Sequence, residues 1–289
     1  MRNIRVAWGF DALLWRASVE TDLFLFLTPP DNFPPSKTKK MLAVFNKSFA
    51  KSPEGLESPD SESISALKDG CLAQHFSSIH PASVTINLGS DGLVAFTSDK
   101  QNPFLPRLFA VVDNIFCLFK GNIDNLALLK QQYGMNKTVN EVSIIIEAYK
   151  TLRDRGPYPA NQVVRDLGGK FAFILYDSTS KTCFVAADAD GSVPFFWGTD
   201  SEGHLVLSDD DGIVKKACGN SFAPYPKACF FTTSGGLRSF EHPLNVLKPV
   251  PRVNSSGQLC GANFKVDVAI KKQFSMPRVG SSANWSSQY

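Results

Sequence analysis

The sequence predicts an α+β fold: two packed antiparallel sheets, sandwiched by helices. Three observations predict it. Strand-length apolar segments come in pairs joined by short polar turns, as in Ser83–Leu88 and Leu93–Thr97 around Gly89-Ser90-Asp91-Gly92. Runs such as Phe171-Ala172-Phe173-Ile174-Leu175 are apolar on both faces, so both faces must be covered. One central segment repeats its apolar residues at helical spacing. The chain has 289 residues, a net charge of +3, 43% hydrophobic and 20% charged residues. That composition excludes a disordered chain, a collagen-like repeat and a disulfide-rich mini-protein. A chain this long buries roughly 75% of its unfolded surface, so its core needs no metal or disulfide staple.

Residues 1–40 differ from the rest. They hold Arg2, Arg5, Arg16, Lys37, Lys39 and Lys40 against Asp11, Glu20, Asp22 and Asp31. Leu23–Leu27, the longest apolar run there, falls far short of the ~20 residues a membrane span needs. No secretory signal pattern is present, and the acidic residues weaken a transit-peptide reading. Pro29, Pro30, Pro34, Pro35 and the polar run after them read as a linker. Residues 1–40 are therefore expected to be a flexible extension or a gene-model artefact. Residues 41–289 are expected to form one domain with an irregular tail after about 270.

Met41 opens a strand, Leu42-Ala43-Val44-Phe45. Leu108–Val112 and Ile115–Phe119 flank Asp113-Asn114, a tight turn, and Lys170–Tyr176 and Thr182–Asp188 flank another. Further strands read at Pro194–Trp197, His204–Ser208, Ala228–Thr233 and Leu237–Phe240. One helix is expected over Ile123–Tyr133, stopping at Gly134. The clearest follows Thr138 and Glu141, which read as a capping box. It carries Val142, Ile145, Ile146, Tyr149 and Leu152 on one stripe, with Arg153 and Arg155 in its last turn. A short helix is expected over Ala160–Leu167, and Asp209-Asp210-Asp211 reads as the start of a helix over Ile213–Ala217. After Pro249 the chain reads as irregular.

Spacing alone assigns no chemistry. Cys71, Cys117, Cys183, Cys218, Cys229 and Cys260 form no metal pattern and read as reduced, mostly buried thiols, Cys71 within a helix. Asp188-Ala189-Asp190-Gly191 resembles half of an EF-hand loop, but Trp197 stands where the bidentate Glu belongs, so a solvated turn is expected. Among the histidines His242, in Glu241-His242-Pro243, is the most site-like, yet it reads as a loop residue. Phosphate-binding, dinucleotide and nucleophile-elbow motifs are missing. No metal or cofactor is expected, and the scattered cations argue against a nucleic-acid surface.

Gln132-Tyr133-Gly134-Met135 and Leu152-Arg153-Asp154-Arg155-Gly156-Pro157 resemble the YGL and LRDR motifs of the plant aluminium-induced or stem-specific proteins, with Met135 in place of Leu. The resemblance runs from Met41 to about Trp285. It implies a stress- or aluminium-responsive plant protein, a name that reflects induction and does not itself show aluminium binding. The reduced thiols and the lack of a signal pattern give the expectation of a cytoplasmic placement, with nucleus or membrane periphery as alternatives. That family is in turn similar to the glutaminase domain of class II glutamine amidotransferases, which are N-terminal nucleophile (Ntn) hydrolases with an αββα sandwich. Lys120-Gly121-Asn122-Ile123-Asp124-Asn125 resembles N-G-E-I-Y-N, Gly169–Asp177 resembles G-M-F-A-F-A-L-W-D, and Ala187–Pro194 resembles R-D-R-F-G-I-K-P.

The resemblance implies a nucleophilic Cys after the initiator Met, an oxyanion-hole Asn followed by Gly, and an Asp that holds the substrate's amino group. Here Leu42 stands for the Cys, Lys120 for the Asn and Val139 for the Asp, while Gly121 remains. Leu93–Thr97 offers no arginine to clamp a substrate carboxylate. Losing one oxyanion donor costs ~10²–10³ in rate, and losing the nucleophile removes the mechanism. The expectation is a degenerate, non-catalytic domain that binds a small molecule or a protein partner, with self-association as a homodimer left open. Lys120, Gly121 and Asn122 line the old pocket in this reading, with Arg153, Asp154 and Arg155 beside it. An active amidohydrolase with a displaced nucleophile such as Cys71 is the alternative.

Overall fold

Strands without a polar face must be covered on both sides, and the computed structural model shows what covers them. It describes residues 39–58, 65–97, 108–154 and 160–271, all within the unit Thr38–Tyr289. The expectations for residues 1–38 and for the tail from 272, like Arg155, lie outside the described residues.

The elements run β1 (Met41–Phe45), α1 (Cys71–Ile79), β2 (Ser83–Asn87), β3 (Gly92–Thr97), β4 (Phe109–Val112), β5 (Ile115–Ile123), α2 (Leu126–Gln132), α3 (Glu141–Asp154) and α4 (Ala160–Asp166). They continue with β6 (Gly169–Asp177), β7 (Thr182–Ala187), β8 (Phe196–Thr199), β9 (Leu205–Ser208), α5 (Asp211–Cys218), β10 (Phe222–Pro224), β11 (Cys229–Thr232), β12 (Gly236–Ser239), β13 (Asn245–Val253) and β14 (Leu259–Lys271). One sheet has the order β10-β8-β9-β1-β3-β2, the other β12-β11-β7-β6-β5-β4, and β13-β14 form a separate ribbon. Strand pairings among the described residues are antiparallel, for example Leu42 with Ala95 and Ser208, and Lys120 with Ala172.

Side-chain parity builds the layers. On β1, Met41, Ala43 and Phe45 enter the cluster between the sheets, with Leu118 of β5 and Ala172, Ile174 and Tyr176 of β6. Leu42 and Val44 point the other way, against Leu72 and Phe76 of α1 and Ile213, Val214 and Ala217 of α5. On the outer face of the second sheet, Phe119, Phe171, Phe173 and Leu175 pack against Val142, Ile145, Ile146 and Tyr149 of α3 and Val163 and Val164 of α4. The order is helix, sheet, sheet, helix, an αββα sandwich. Asp113 and Asn114, at φ 50° and 64°, make the left-handed turn that a right-twisted hairpin favours. Among the described residues no helix is long and apolar enough to cross a membrane.

Three expectations are corrected. The stretch after Pro249 is not irregular: it belongs to the β13–β14 ribbon, whose Phe264 ring lies 5.6 Å from Trp197. Pro249 and Pro251 argue against a strand, but two residues apart they lose their N–H groups on one edge, which a two-stranded ribbon can leave unpaired. Cys71 is exposed at the first position of α1, not packed inside it. The capping of α3 shifts by two residues. Asn140, not Thr138, caps it: its Oδ1 accepts from the Ser143 N–H at 3.0 Å and from Ser143 Oγ at 2.9 Å.

Asn140→Ala is therefore expected to lower stability by about 1 kcal/mol in urea denaturation. Thr138→Ala, at an exposed position, should stay within about 0.5 kcal/mol of the parent. The reverse ranking would restore the sequence-based cap.

Candidate functional site

The start of β1 gathers polar groups from both sheets. Lys120 shares the inward parity of Leu118 on β5, so its side chain enters the gap between the sheets. A cation there needs an anion. Asp209, directly after β9, supplies it: its side chain is 0% exposed, and its Oδ2 pairs with Lys120 Nζ. Its Oδ1 accepts the Met41 N–H at 2.8 Å. Ser208 Oγ donates to the Met41 carbonyl at 2.8 Å. Beside this, Lys40 pairs with Asp210 at 2.9 Å, and the Lys40 N–H donates to Thr97 Oγ1 at 2.9 Å. Asp210 also caps α5, accepting from the Gly212 N–H at 3.0 Å, so the expected helix start is present.

His80 closes the cluster after α1. Its Nε2 is buried without a hydrogen-bond partner among the described residues. Burial chiefly, and the Lys40 charge, lower its pKa against the opposing pull of Asp210 and Asp209, so the ring is neutral near pH 7.

The proposed pocket residues do not meet in one place. Leu42 is fully buried in the cluster under α1 and α5. Val139 packs against the cluster under α3, on the far side of the other sheet. Asn122 is exposed and donates to Asp124 Oδ1. Gly121 has a structural reason: at φ +117° a Cβ there would stand 1.9 Å from the Lys170 carbonyl oxygen. Of these, only Lys120 joins the polar cluster around Met41. Sequence reasoning missed its partner Asp209, reading it as part of a helix start. The available signal was a lysine on the inward face of an apolar strand, which must find a carboxylate.

The chemical capacity of this arrangement is small. Both Asp209 oxygens are committed, so the carboxylate is held as a structural group. Burial raises the thiols of Cys117, Cys183 and Cys218 well above their usual value and pushes Cys229 up to about 12, so these thiols stay protonated. Cys71 is nine helical residues before His80, about 13 Å along α1. Among the described residues no three His, Cys, Asp or Glu side chains cluster as metal ligands. Asp188 is buried and accepts from the Phe171 N–H at 3.0 Å and the Ser192 N–H at 3.0 Å, while Ala189, Asp190, Gly191 and Ser192 are exposed, so the turn it anchors is solvated as expected.

The profile of a family described as aluminium induced protein matches residues 42–266. The tobacco stem-specific protein TSJT1 is 40% identical over 148 residues, which span 50% of this chain and 99% of the tobacco protein. This chain belongs to the aluminium-induced protein family. Asparagine synthetase B of Escherichia coli, described as glutamine-hydrolyzing, is 27% identical over 126 residues, 42% of this chain but only 21% of the enzyme. Among solved structures, the B. subtilis glutamine phosphoribosylpyrophosphate amidotransferase aligns with a TM-score of 0.44 at 12% identity, covering 70% of this chain and 49% of that one. That superposition is loose, and the layer order stands on the strand pairing itself.

In this member of the aluminium-induced family, Tyr133, Gly134 and Met135 end a helix. Gly134 sits at φ +64°, its N–H donates to the Gln131 carbonyl at 3.2 Å, and the Met135 N–H donates to the Lys130 carbonyl at 2.8 Å. This is a Schellman stop, in which the residue after the glycine packs back on the helix. Met135 does so against the cluster that contains Leu129, which is why Met serves where Leu is usual. Leu152 packs on the same cluster. Arg153 reaches Asp154 at 2.6 Å and the buried Asp177 at 3.0 Å, and Tyr149 OH also donates to Asp177 at 3.0 Å. Arg153 and Asp154 thus tie the end of α3 to the β6–β7 turn. They do not lie beside Lys120. Asp177 is five residues along β6 from Ala172, the partner of Lys120, or about 17 Å.

Burial opposes ionisation of Asp177, but the hydrogen bonds from Ser180, Arg153 and Thr179 together outweigh it and hold its pKa below the usual carboxylate range. Such a group stabilises the fold fully above its unfolded pKa of about 3.9 and loses that contribution as pH falls through the folded value. Asp177→Asn should cost roughly 1–3 kcal/mol at pH 7 and clearly less at pH 3, by urea denaturation. An equal cost at both pH values would contradict this.

Proposed function

We propose that this protein is a class II glutamine amidotransferase-like domain without glutaminase activity, which acts by binding a small molecule or a protein partner. The observation that carries the reading is the state of the β1 start. The side chain that follows Met41 is an apolar leucine turned under α1 and α5. The lysine in the oxyanion position is tied to a buried aspartate, which also takes the Met41 N–H. A glutaminase of this class needs a free thiolate and hydrogen-bond donors aimed at the developing oxyanion. Here the position of the nucleophile is apolar, and the nearest cation is neutralised. The family relation and the partial likeness to glutamine-hydrolyzing asparagine synthetases support a shared ancestral frame. The segments whose residues resemble the enzymes include β6 and the end of β5 in this frame.

Purified full-length protein incubated with L-glutamine should release ammonia and glutamate no faster than a buffer blank. Leu42→Cys should be equally inactive, because the new thiol would face the helices, and it should lose roughly 1–3 kcal/mol of stability from the shortened side chain. Turnover above background by the parent protein, or a glutamyl adduct on it in intact-mass spectrometry, would overturn the proposal.

A further inference from the structure

A cavity of about 310 Å³ opens at the rim of the sheet that carries β11 and β12. Lys227 and Ala228 line it from the turn before β11, Ser239 from the end of β12, Glu241 and His242 from the segment beyond, and Val266 from β14. Counting strands from Lys120 through Ala172 and Ala187 to the start of β11 puts it roughly 14 Å across the sheet from Lys120.

The floor is fixed by the backbone. The Ala228 N–H donates to the Asp188 carbonyl at 3.1 Å, and the Ala228 carbonyl accepts from the Phe240 N–H at 3.0 Å and Ser239 Oγ at 3.3 Å. Ser239 Oγ in turn accepts the His242 N–H at 3.1 Å, which holds the far rim. The Lys227 stem lies over Gly191, where a Cβ would stand 2.9 Å from its Cγ. Lys227 and Glu241 are exposed, and among the described residues neither pairs with the other or with any other side chain, although both line one cavity. A cation and a carboxylate that line one space without pairing leave room for a ligand carrying both charges. Ala228 and Val266 add an apolar wall. The volume is at the small end for ligand cavities, fitting a molecule of about ten heavy atoms.

We propose that this cavity binds a small zwitterion, an α-amino acid with a short apolar side chain. Its carboxylate meets Lys227, its ammonium meets Glu241, and its side chain lies on Ala228 and Val266. The proposal goes beyond the reading of the β1 start and does not depend on it.

The test is calorimetric titration of the full chain with L-leucine, 4-methylpentanoate, which lacks the amine, and 3-methylbutylamine, which lacks the carboxylate. L-leucine should bind with a Kd of about 0.1–1 mM, and each truncated analogue at least about tenfold more weakly. Lys227→Ala and Glu241→Gln should each weaken L-leucine about tenfold, while Lys227→Arg should retain binding. Unchanged circular dichroism would separate lost binding from lost folding. No saturation up to about 10 mM L-leucine, or binding unmoved by both substitutions, would overturn the proposal whichever way the glutaminase assay falls.

Discussion

The arrangement at the β1 start depends on one buried carboxylate, Asp209. It lies in the gap between two sheets and holds three chain segments together: the end of β9, the Met41 backbone and Lys120 on β5. Desolvating a carboxylate costs several kcal/mol unless its oxygens are satisfied, and a lysine between sheets carries the same penalty. Each therefore requires the other. The pair fixes how the two sheets meet at this end. At the other end of β6, Asp91 does similar work, accepting from Tyr176 OH at 2.6 Å and from Lys181 Nζ at 2.7 Å. Between these two polar ties the interface is a continuous apolar layer that includes Phe45, Ile174 and Leu207.

Under the proposed reading, this arrangement lets the frame persist without glutaminase chemistry. The apolar parity of β1 and β6 is set by burial on both faces and makes no demand on the residue after Met41, except that it be apolar and fit under α1 and α5. Leucine meets that demand as well as any side chain. Lysine at 120 brings a charge that a reacting substrate could have used, but Asp209 neutralises it. The YGL- and LRDR-like segments serve the same frame: one stops α2, the other fastens α3 to the β6–β7 turn. Their chemistry is helix termination and latching.

Much of the fold was legible because its signals are local. Phe171–Leu175 announces a strand covered on both sides, and Asp113-Asn114 announces a left-handed turn. Features set by distant contacts were not legible. Asp209 is 89 residues from Lys120, so local reading saw only an acidic helix start. Thr138 and Glu141 have capping-box spacing, but the helix begins later, and Asn140 takes the cap. Pro249 and Pro251 hid a strand that pairs, among the described residues, with a second strand of the same ribbon. The pocket expected from the family resemblance placed Leu42, Lys120 and Val139 together, yet strand parity sends Leu42 and Lys120 to different layers, and Val139 lies before α3, packed in a third.

The most direct measurement is a double-mutant cycle between Lys120→Met and Asp209→Asn, with each stability taken from urea denaturation. Asp209→Asn alone should be clearly destabilising, because it leaves the ammonium of Lys120 uncompensated between the sheets. Adding Lys120→Met should recover part of that loss, giving a coupling of about 1–3 kcal/mol. Additivity within about 0.3 kcal/mol would show that the two side chains act independently, and the account of a sealed β1 start would be wrong.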